Sequence, residues 1–107
     1  MAQKLTTELQ TSKGATSEAY YYISDFRVGK DGFCKVAVKW YQNQADRDVN
    51  VNDTVNILVT TDIREVYHLQ LGGIGSTIAD AYNEIATLQK AARKTVESDN
   101  SGSWVIA

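Results

Sequence analysis

The sequence predicts an α+β domain: a small, mostly antiparallel β-sheet with a long hairpin, packed against one C-terminal amphipathic helix, with a flexible N-terminal arm and a terminal β-prone tail. Three observations lead there. Residues 20–41 alternate apolar and polar side chains around a Gly-Lys-Asp-Gly turn, residues 78–92 carry apolar side chains at helical spacing, and the chain ends are polar except for a closing SWVIA. A chain of 107 residues suits one domain, and at this size folding buries roughly 60 to 70% of the unfolded chain's surface. The reading divides it into an arm over 1–18, one α+β domain over 19–97, and a polar hinge with a last strand over 98–107.

The hairpin is derived from its turn. Gly29-Lys30-Asp31-Gly32 suits a loop in which Lys30 and Asp31 are right-handed helical and Gly32 takes the left-handed position. Gly29 then faces Phe33, and the register places Val28 with Cys34, Phe26 with Val36, Ser24 with Val38 and Tyr22 with Trp40 on the core face. Arg27 with Lys35, Asp25 with Ala37, Ile23 with Lys39 and Tyr21 with Tyr41 fall on the other.

Before the hairpin, residues 1–18 offer only Leu5 and Leu9 as widely spaced apolar anchors. So little apolar surface does not offset the entropy of ordering the segment alone, which predicts an arm that orders on a partner, or one short amphipathic helix. Residues 43–53 (NQADRDVNVND) predict a polar loop over the surface, and residues 54–60 (TVNILVT) a strand. Residues 62–71 admit two readings. A strand with Ile63, Tyr67, Leu69 and Leu71 inward is preferred, because Val66, Tyr67 and His68 are poor helix formers; a helix capped by Asp62 and Glu65 and stopped by Gly72 is the alternative. A helix starting near Ser76 or Thr77 follows, with Ile78, Ala81, Ile85, Leu88 and Ala92 on one stripe. Trp104, Val105 and Ile106 close the chain as a β-prone segment for this sheet or another.

Composition narrows the function classes. Eleven Lys and Arg against thirteen Asp and Glu leave a net charge of −2, so no global field favours nucleic acid or an anionic membrane. The distribution is less even: from 19 to 42, Arg27, Lys30, Lys35 and Lys39 against Asp25 and Asp31 leave +2. From 43 to 68, Asp46, Asp48, Asp53, Asp62 and Glu65 against Arg47 and Arg64 leave −3. Such asymmetry lets copies of the chain meet with opposite charges facing. The start of the chain has no apolar run of the kind found in signal peptides, and no stretch is long and apolar enough to span a membrane, so an intracellular address is expected. With one cysteine, Cys34, and one histidine, His68, neither an internal disulfide nor a Cys/His zinc site is expected.

Four segments carry candidate chemistry. GGIGST (residues 72–77) lies between strand and helix, but Ile78 stands where a dinucleotide fingerprint needs glycine, and Gly75 where a phosphate loop needs lysine. Cys34 and His68 are a conceivable nucleophile and base, with Cys34 expected on the core face. Asp46, Asp48 and Asp53 resemble calcium ligands but lack the glycine and twelfth-position acid of an EF-hand. No catalytic, cofactor or metal set emerges, and a non-enzymatic role is expected. The fourth segment is the outer hairpin face: Tyr21, Arg27, Lys35, Lys39 and Tyr41 combine rings for stacking with cations for phosphate, as single-strand nucleic-acid binders do. Cross-strand tyrosines and outward lysines are also ordinary sheet devices, so a protein contact is the favoured reading.

The hairpin YYYISDFRVGKDGFCKVAVKWY with TVNILVT, one helix, the polar segment MAQKLTTELQTSKGATSE and the detached SWVIA together resemble the small virion subunits of tailed bacteriophages. That likeness of build implies a structural subunit of decoration, neck or baseplate type, assembling with copies of itself or other virion proteins, synthesised in a host cytoplasm. A cytoplasmic place is expected for a non-viral chain. The residues themselves point to Tyr21, Tyr41, Trp104, Val105 and Ile106 as contacts.

Overall fold

The turn at the centre of the sheet closes as its chemistry requires. In a computed structural model, which describes residues 2–58, 65–72, 75–92 and 94–99 (for 98 and 99 the backbone alone), Gly32 adopts φ 86° and the Gly29 N–H donates to Phe33 O at 2.8 Å. A Cβ at Gly29 would lie 2.8 Å from the Asp31 carboxylate and 2.9 Å from Phe33 O, so this corner admits only glycine without rearrangement. The turn joins β4 (Tyr20–Val28) to β5 (Phe33–Tyr41).

From the turn outward the pairs Val28 with Cys34, Arg27 with Lys35, Phe26 with Val36 and Asp25 with Ala37 form as expected. Beyond them the register shifts, because Ser24 is bulged out of the ladder and Ile23 takes its place opposite Val38. Tyr22 then faces Lys39, Tyr21 faces Trp40 and Tyr20 faces Tyr41. The expected pairs Ser24 with Val38, Ile23 with Lys39, Tyr22 with Trp40 and Tyr21 with Tyr41 are therefore corrected by one residue. Since strand side chains alternate in direction, the shift moves Tyr21 and Ile23 to the core and Tyr22 away from it.

The N-terminal segment is integral to the sheet rather than an arm. Strand β1 (Ala2–Leu5) lies between β4 and β7 (Val96–Asp99), and β6 (Val66–Gln70) completes the order β6-β5-β4-β1-β7, with every pairing antiparallel. A two-stranded hairpin, β2 (Leu9–Thr11) with β3 (Gly14–Thr16), follows β1. Leu5 and Leu9 are fully buried in strands, not on one helix. The polar composition that suggests an arm is satisfied internally: buried Gln3 accepts from the Tyr21 hydroxyl and donates to Tyr82 O at 3.1 Å, and the ladder on both edges of β1 pairs its backbone. Ser98 and Asp99, read from sequence as the start of a hinge, belong to β7. Trp104, Val105 and Ile106 lie outside the described residues.

The remaining elements follow their local signals. The charged loop contains a short helix, α1 (Gln44–Val49), because the Asn43 side chain accepts from Asp46 N–H and nucleates the turn. Val55 and Ile57 form isolated bridges with Trp40 and Thr11, and 59–60 lie outside the described residues, so the expected strand over 54–60 appears only as these two bridges. Residues 66–70 are a strand with Tyr67 and Leu69 inward, which is the preferred of the two readings; Ile63 lies outside the described residues. Helix α2 (Ile78–Ala91) starts at Thr77, where Thr77 and Asp80 form a reciprocal capping box. Its buried face is Ala81, Tyr82, Ile85 and Gln89, rotated from the expected stripe so that Leu88 is exposed. Helix α2 covers the inner face of the sheet, and the core lies between them, with Tyr21, Ile23, Cys34, Val36, Val38, Trp40, Tyr67 and Leu69 beneath it. Among the described residues no helix is long and apolar enough to cross a membrane.

Candidate interaction surface

The face of the sheet opposite α2 is built from the alternate residues of each strand. Its row on β5 is Phe33, Lys35, Ala37, Lys39 and Tyr41; β6 adds Val66, His68 and Gln70 beside them; β4 adds Arg27, Asp25, Tyr22 and Tyr20; and β1 adds Ala2 and Lys4. One end of this face is covered. Ala2, Tyr20 and Tyr41 form a second small core with half-buried Tyr22 against it, and the Tyr22 and Tyr41 rings stack at 5.9 Å while those of Tyr20 and Tyr41 meet edge-on at 6.4 Å. The Arg47 guanidinium of α1 lies 5.2 Å from the Tyr20 ring centroid and donates to the Tyr20 hydroxyl at 2.7 Å. The Tyr41 hydroxyl donates to Val51 O at 2.5 Å, tying down the segment after α1. Burial, with the neighbouring Tyr22, pushes the Tyr41 phenol well above the ordinary tyrosine range.

The other end of the face is open among the described residues. Phe33 is 49% and Val66 40% exposed, and Lys35, Lys39 and His68 point outward beside them. Arg27 pairs with Asp25 at 3.1 Å, whereas Lys35 and Lys39 have no ion-pair partner among the described residues. On the β1–β7 side, Lys4 pairs with Glu97 at 3.2 Å.

The structure brings together Arg27, Lys35 and Lys39, as the sequence predicts, on one exposed row. Tyr21 is turned to the opposite face, and Tyr41, although on the same face of β5 as Lys39, is closed to solvent. Tyr21 faces the core, where it is fully buried against Trp40 and Tyr82, and Tyr41 is fully buried beneath α1. Both are thereby corrected as contact residues, whether for a protein partner or for nucleic acid: the bulge at Ser24 turns Tyr21 inward, and α1 closes over Tyr41. The residues that sequence reasoning missed on this face are Phe33, Val66 and His68. Phe33 follows the turn directly, and its outward position was already implied by the parity that buries Cys34. Val66 and His68 depended on choosing the strand reading for residues 62–71.

The other candidates dissolve into structure. Cys34 and His68 occupy opposite faces of the sheet, and burial pushes the Cys34 thiol up, away from thiolate character. In the glycine segment, Ser76 donates to Leu71 O at 2.9 Å and the capping box occupies the Thr77 and Asp80 N–H groups, while 73–74 lie outside the described residues. Asp46 N–H is bound by Asn43, Asp48 pairs with Arg47 at 3.6 Å and Asp53 with Lys13. Among the described residues no three His, Cys, Asp or Glu side chains are grouped to hold a metal ion. No protein-family model matches the chain, and no curated protein or solved structure matches it.

Proposed function

We propose that the chain is a non-enzymatic structural subunit that works by assembling with copies of itself or with other proteins. The observation that carries this reading is the open half of the outer sheet face, where Phe33 and Val66 stay exposed beside Lys35 and Lys39, which have no ion-pair partner among the described residues, while α2 packs on the opposite face. Exposed apolar side chains rimmed by polar ones are the composition of protein contacts. The terminal Trp104, Val105 and Ile106, which follow the edge strand β7 in sequence, supply a second apolar element for a neighbour. The resemblance to small virion subunits of tailed bacteriophages suits this role and would place the chain in a virion after synthesis in the host cytoplasm.

A second reading, single-stranded nucleic-acid binding, draws on the row Arg27, Lys35 and Lys39 with Phe33 as a stacking ring. It is the weaker of the two, because Tyr21 and Tyr41 are closed to solvent and the net charge is −2.

Sedimentation of the full chain against a chain lacking 103–107 tests the assembly reading. The full chain is expected to form a discrete oligomer, and the truncated chain to keep its circular dichroism while losing mass. Loss of the fold on truncation, or an unchanged mass, removes the tail as a contact; a full chain that stays monomeric contradicts self-assembly itself.

A further inference from the structure

The two helices are held on the sheet in opposite ways. Helix α2 buries Ala81, Tyr82, Ile85 and Gln89, whereas α1 buries no residue, and neither does any position from Gln42 to Thr54. Both ends of that stretch are nevertheless fixed. At one end the Thr16 hydroxyl donates to Gln42 O at 2.8 Å, and the Thr11 hydroxyl is hydrogen-bonded to Gln42 Oε1 at 2.5 Å. At the other, buried Val55 bridges Trp40, its N–H donating to Trp40 O at 2.8 Å. Between these anchors the chain passes over Tyr20 and Tyr41, tied to them by the Arg47 guanidinium on the Tyr20 hydroxyl and ring and by the Tyr41 hydroxyl on Val51 O.

The free energy of a local opening follows the buried contacts that it breaks. Lifting this stretch takes none of its own apolar side chains out of the core, since Val49 and Val51 are already 88% and 60% exposed. The Arg47 side chain, 30% exposed, exchanges its partner for water that already reaches it. Helix α1 has six residues, too few to persist without support, so undocking and melting are one event. What opposes them is the exposure of Tyr20 and Tyr41, which keeps the closed form dominant. Tyr21 and Tyr82 are also buried, but they lie between the sheet and α2, which cannot lift without taking Ala81 and Ile85 out of the core.

We infer that residues 43–53 form a strap that opens as a unit between the anchors at Gln42 and Val55 while the sheet stays folded, giving the outer face two forms. In the closed form Tyr20 and Tyr41 are withheld. In the open form Tyr41, two positions beyond Lys39 on β5, and its cross-strand partner Tyr20 extend the row of Lys35 and Lys39. The inference concerns a motion of the single chain and is independent of the assembly reading.

Hydrogen exchange of the full chain in urea below its unfolding transition tests the strap. The amides of Asp46 and Asn50, which donate to the Asn43 side chain and to Asp46 O, are expected to exchange at rates that urea leaves nearly unchanged, while the ladder amides of β4 and β5 accelerate with urea. Nitration under native conditions, mapped by mass spectrometry, is expected to modify Tyr20 and Tyr41 at least about tenfold faster than Tyr21 and Tyr82. Arg47→Ala should speed modification of Tyr20 and Tyr41 about tenfold further, with cooperative unfolding retained. Strap amides that share the urea dependence of the sheet, or four tyrosines modified at one rate, would overturn the inference, because the strap would then leave only on global unfolding. An Arg47→Ala chain modified as slowly as wild type would overturn Arg47 as the clasp. Either failure leaves the assembly reading standing, and a chain that proves monomeric leaves the strap standing.

Discussion

Tyr21 and Trp40 face each other across β4 and β5 with ring centroids 4.5 Å apart, and this pair divides the sheet into a sealed face and an open one. Because Tyr21 points inward, its hydroxyl meets Gln3, Gln3 in turn reaches Tyr82 O, and the Tyr82 hydroxyl accepts from Ile23 N–H at 2.6 Å. Strand β1, the hairpin and α2 are thus joined by one buried polar chain.

The bulge at Ser24 makes the two neighbouring tyrosines unequal. Tyr21→Phe removes the donor to buried Gln3 and is expected to cost about 1 to 3 kcal/mol, whereas Tyr22→Phe, on the half-buried outer side, should change stability by under about 0.5 kcal/mol. Urea unfolding of the two variants measures the difference. Equal costs, or a larger cost at Tyr22, would show the unbulged register instead. Deleting Ser24 should preserve the cooperative transition, since it leaves a regular ladder in which Ile23 still faces Val38 and Tyr21 still faces Trp40.

Arg47 holds α1 on the sheet through the Tyr20 hydroxyl and ring. Arg47→Ala is expected to destabilise by about 1 to 2 kcal/mol and to raise the exposure of Tyr20 and Tyr41 to an aqueous fluorescence quencher. Unchanged quenching would mean that α1 is held by other contacts.

Alkaline pH should unfold the chain through its buried phenols. Burial raises Tyr21 and Tyr82 well above the ordinary tyrosine range, and Tyr41 shifts the same way. A raised folded-state pKa means that the native state holds its protons where the unfolded state releases them, so stability is fully present below the unfolded value near about 10 and falls as pH rises past it. For Tyr21 alone the slope approaches about 1.4 kcal/mol per pH unit. Unfolding midpoints between pH 8 and 12 check this; a midpoint flat above pH 10 would contradict it.

The start of α2 is set by Thr77, whose hydroxyl accepts from Asp80 N–H at 3.2 Å while the Asp80 carboxylate accepts from Thr77 N–H at 2.8 Å. Thr77→Ala should cost about 1 kcal/mol and Thr77→Ser little, read from thermal unfolding. Equal losses in both would show that the methyl group, rather than the hydroxyl, matters.

The sequence announces features whose cause is local and hides those whose cause is distant. Gly29 and Gly32 specify the turn and the first four pairs above it, the spacing of Ala81 and Ile85 marks α2, and Tyr67 and Leu69 mark β6. The run Tyr20-Tyr21-Tyr22-Ile23 carries no alternation, so nothing in it opposes continuing the register of the turn, and the bulge escapes detection. Gln3 reads as solvated until Tyr82, distant by 79 positions, is brought beside it. The rotated buried face of α2 has the same origin, since Gln89 reads as an outward polar residue until Tyr67, whose hydroxyl accepts from Gln89 Nε2 at 2.9 Å, stands opposite. Of the outer face, Arg27, Lys35 and Lys39 were legible by parity from the turn, and the covering of Tyr41 was not, because α1 arises within a stretch whose polarity argues only for solvent.

Light scattering of the purified chain across concentration and salt, with and without a single-stranded oligonucleotide, tests the central claim most directly. The account predicts a discrete oligomer that tolerates salt and ignores the oligonucleotide. A monomer that gains mass only with the oligonucleotide, and loses it as salt rises, would contradict it and make Arg27, Lys35 and Lys39 a nucleic-acid site.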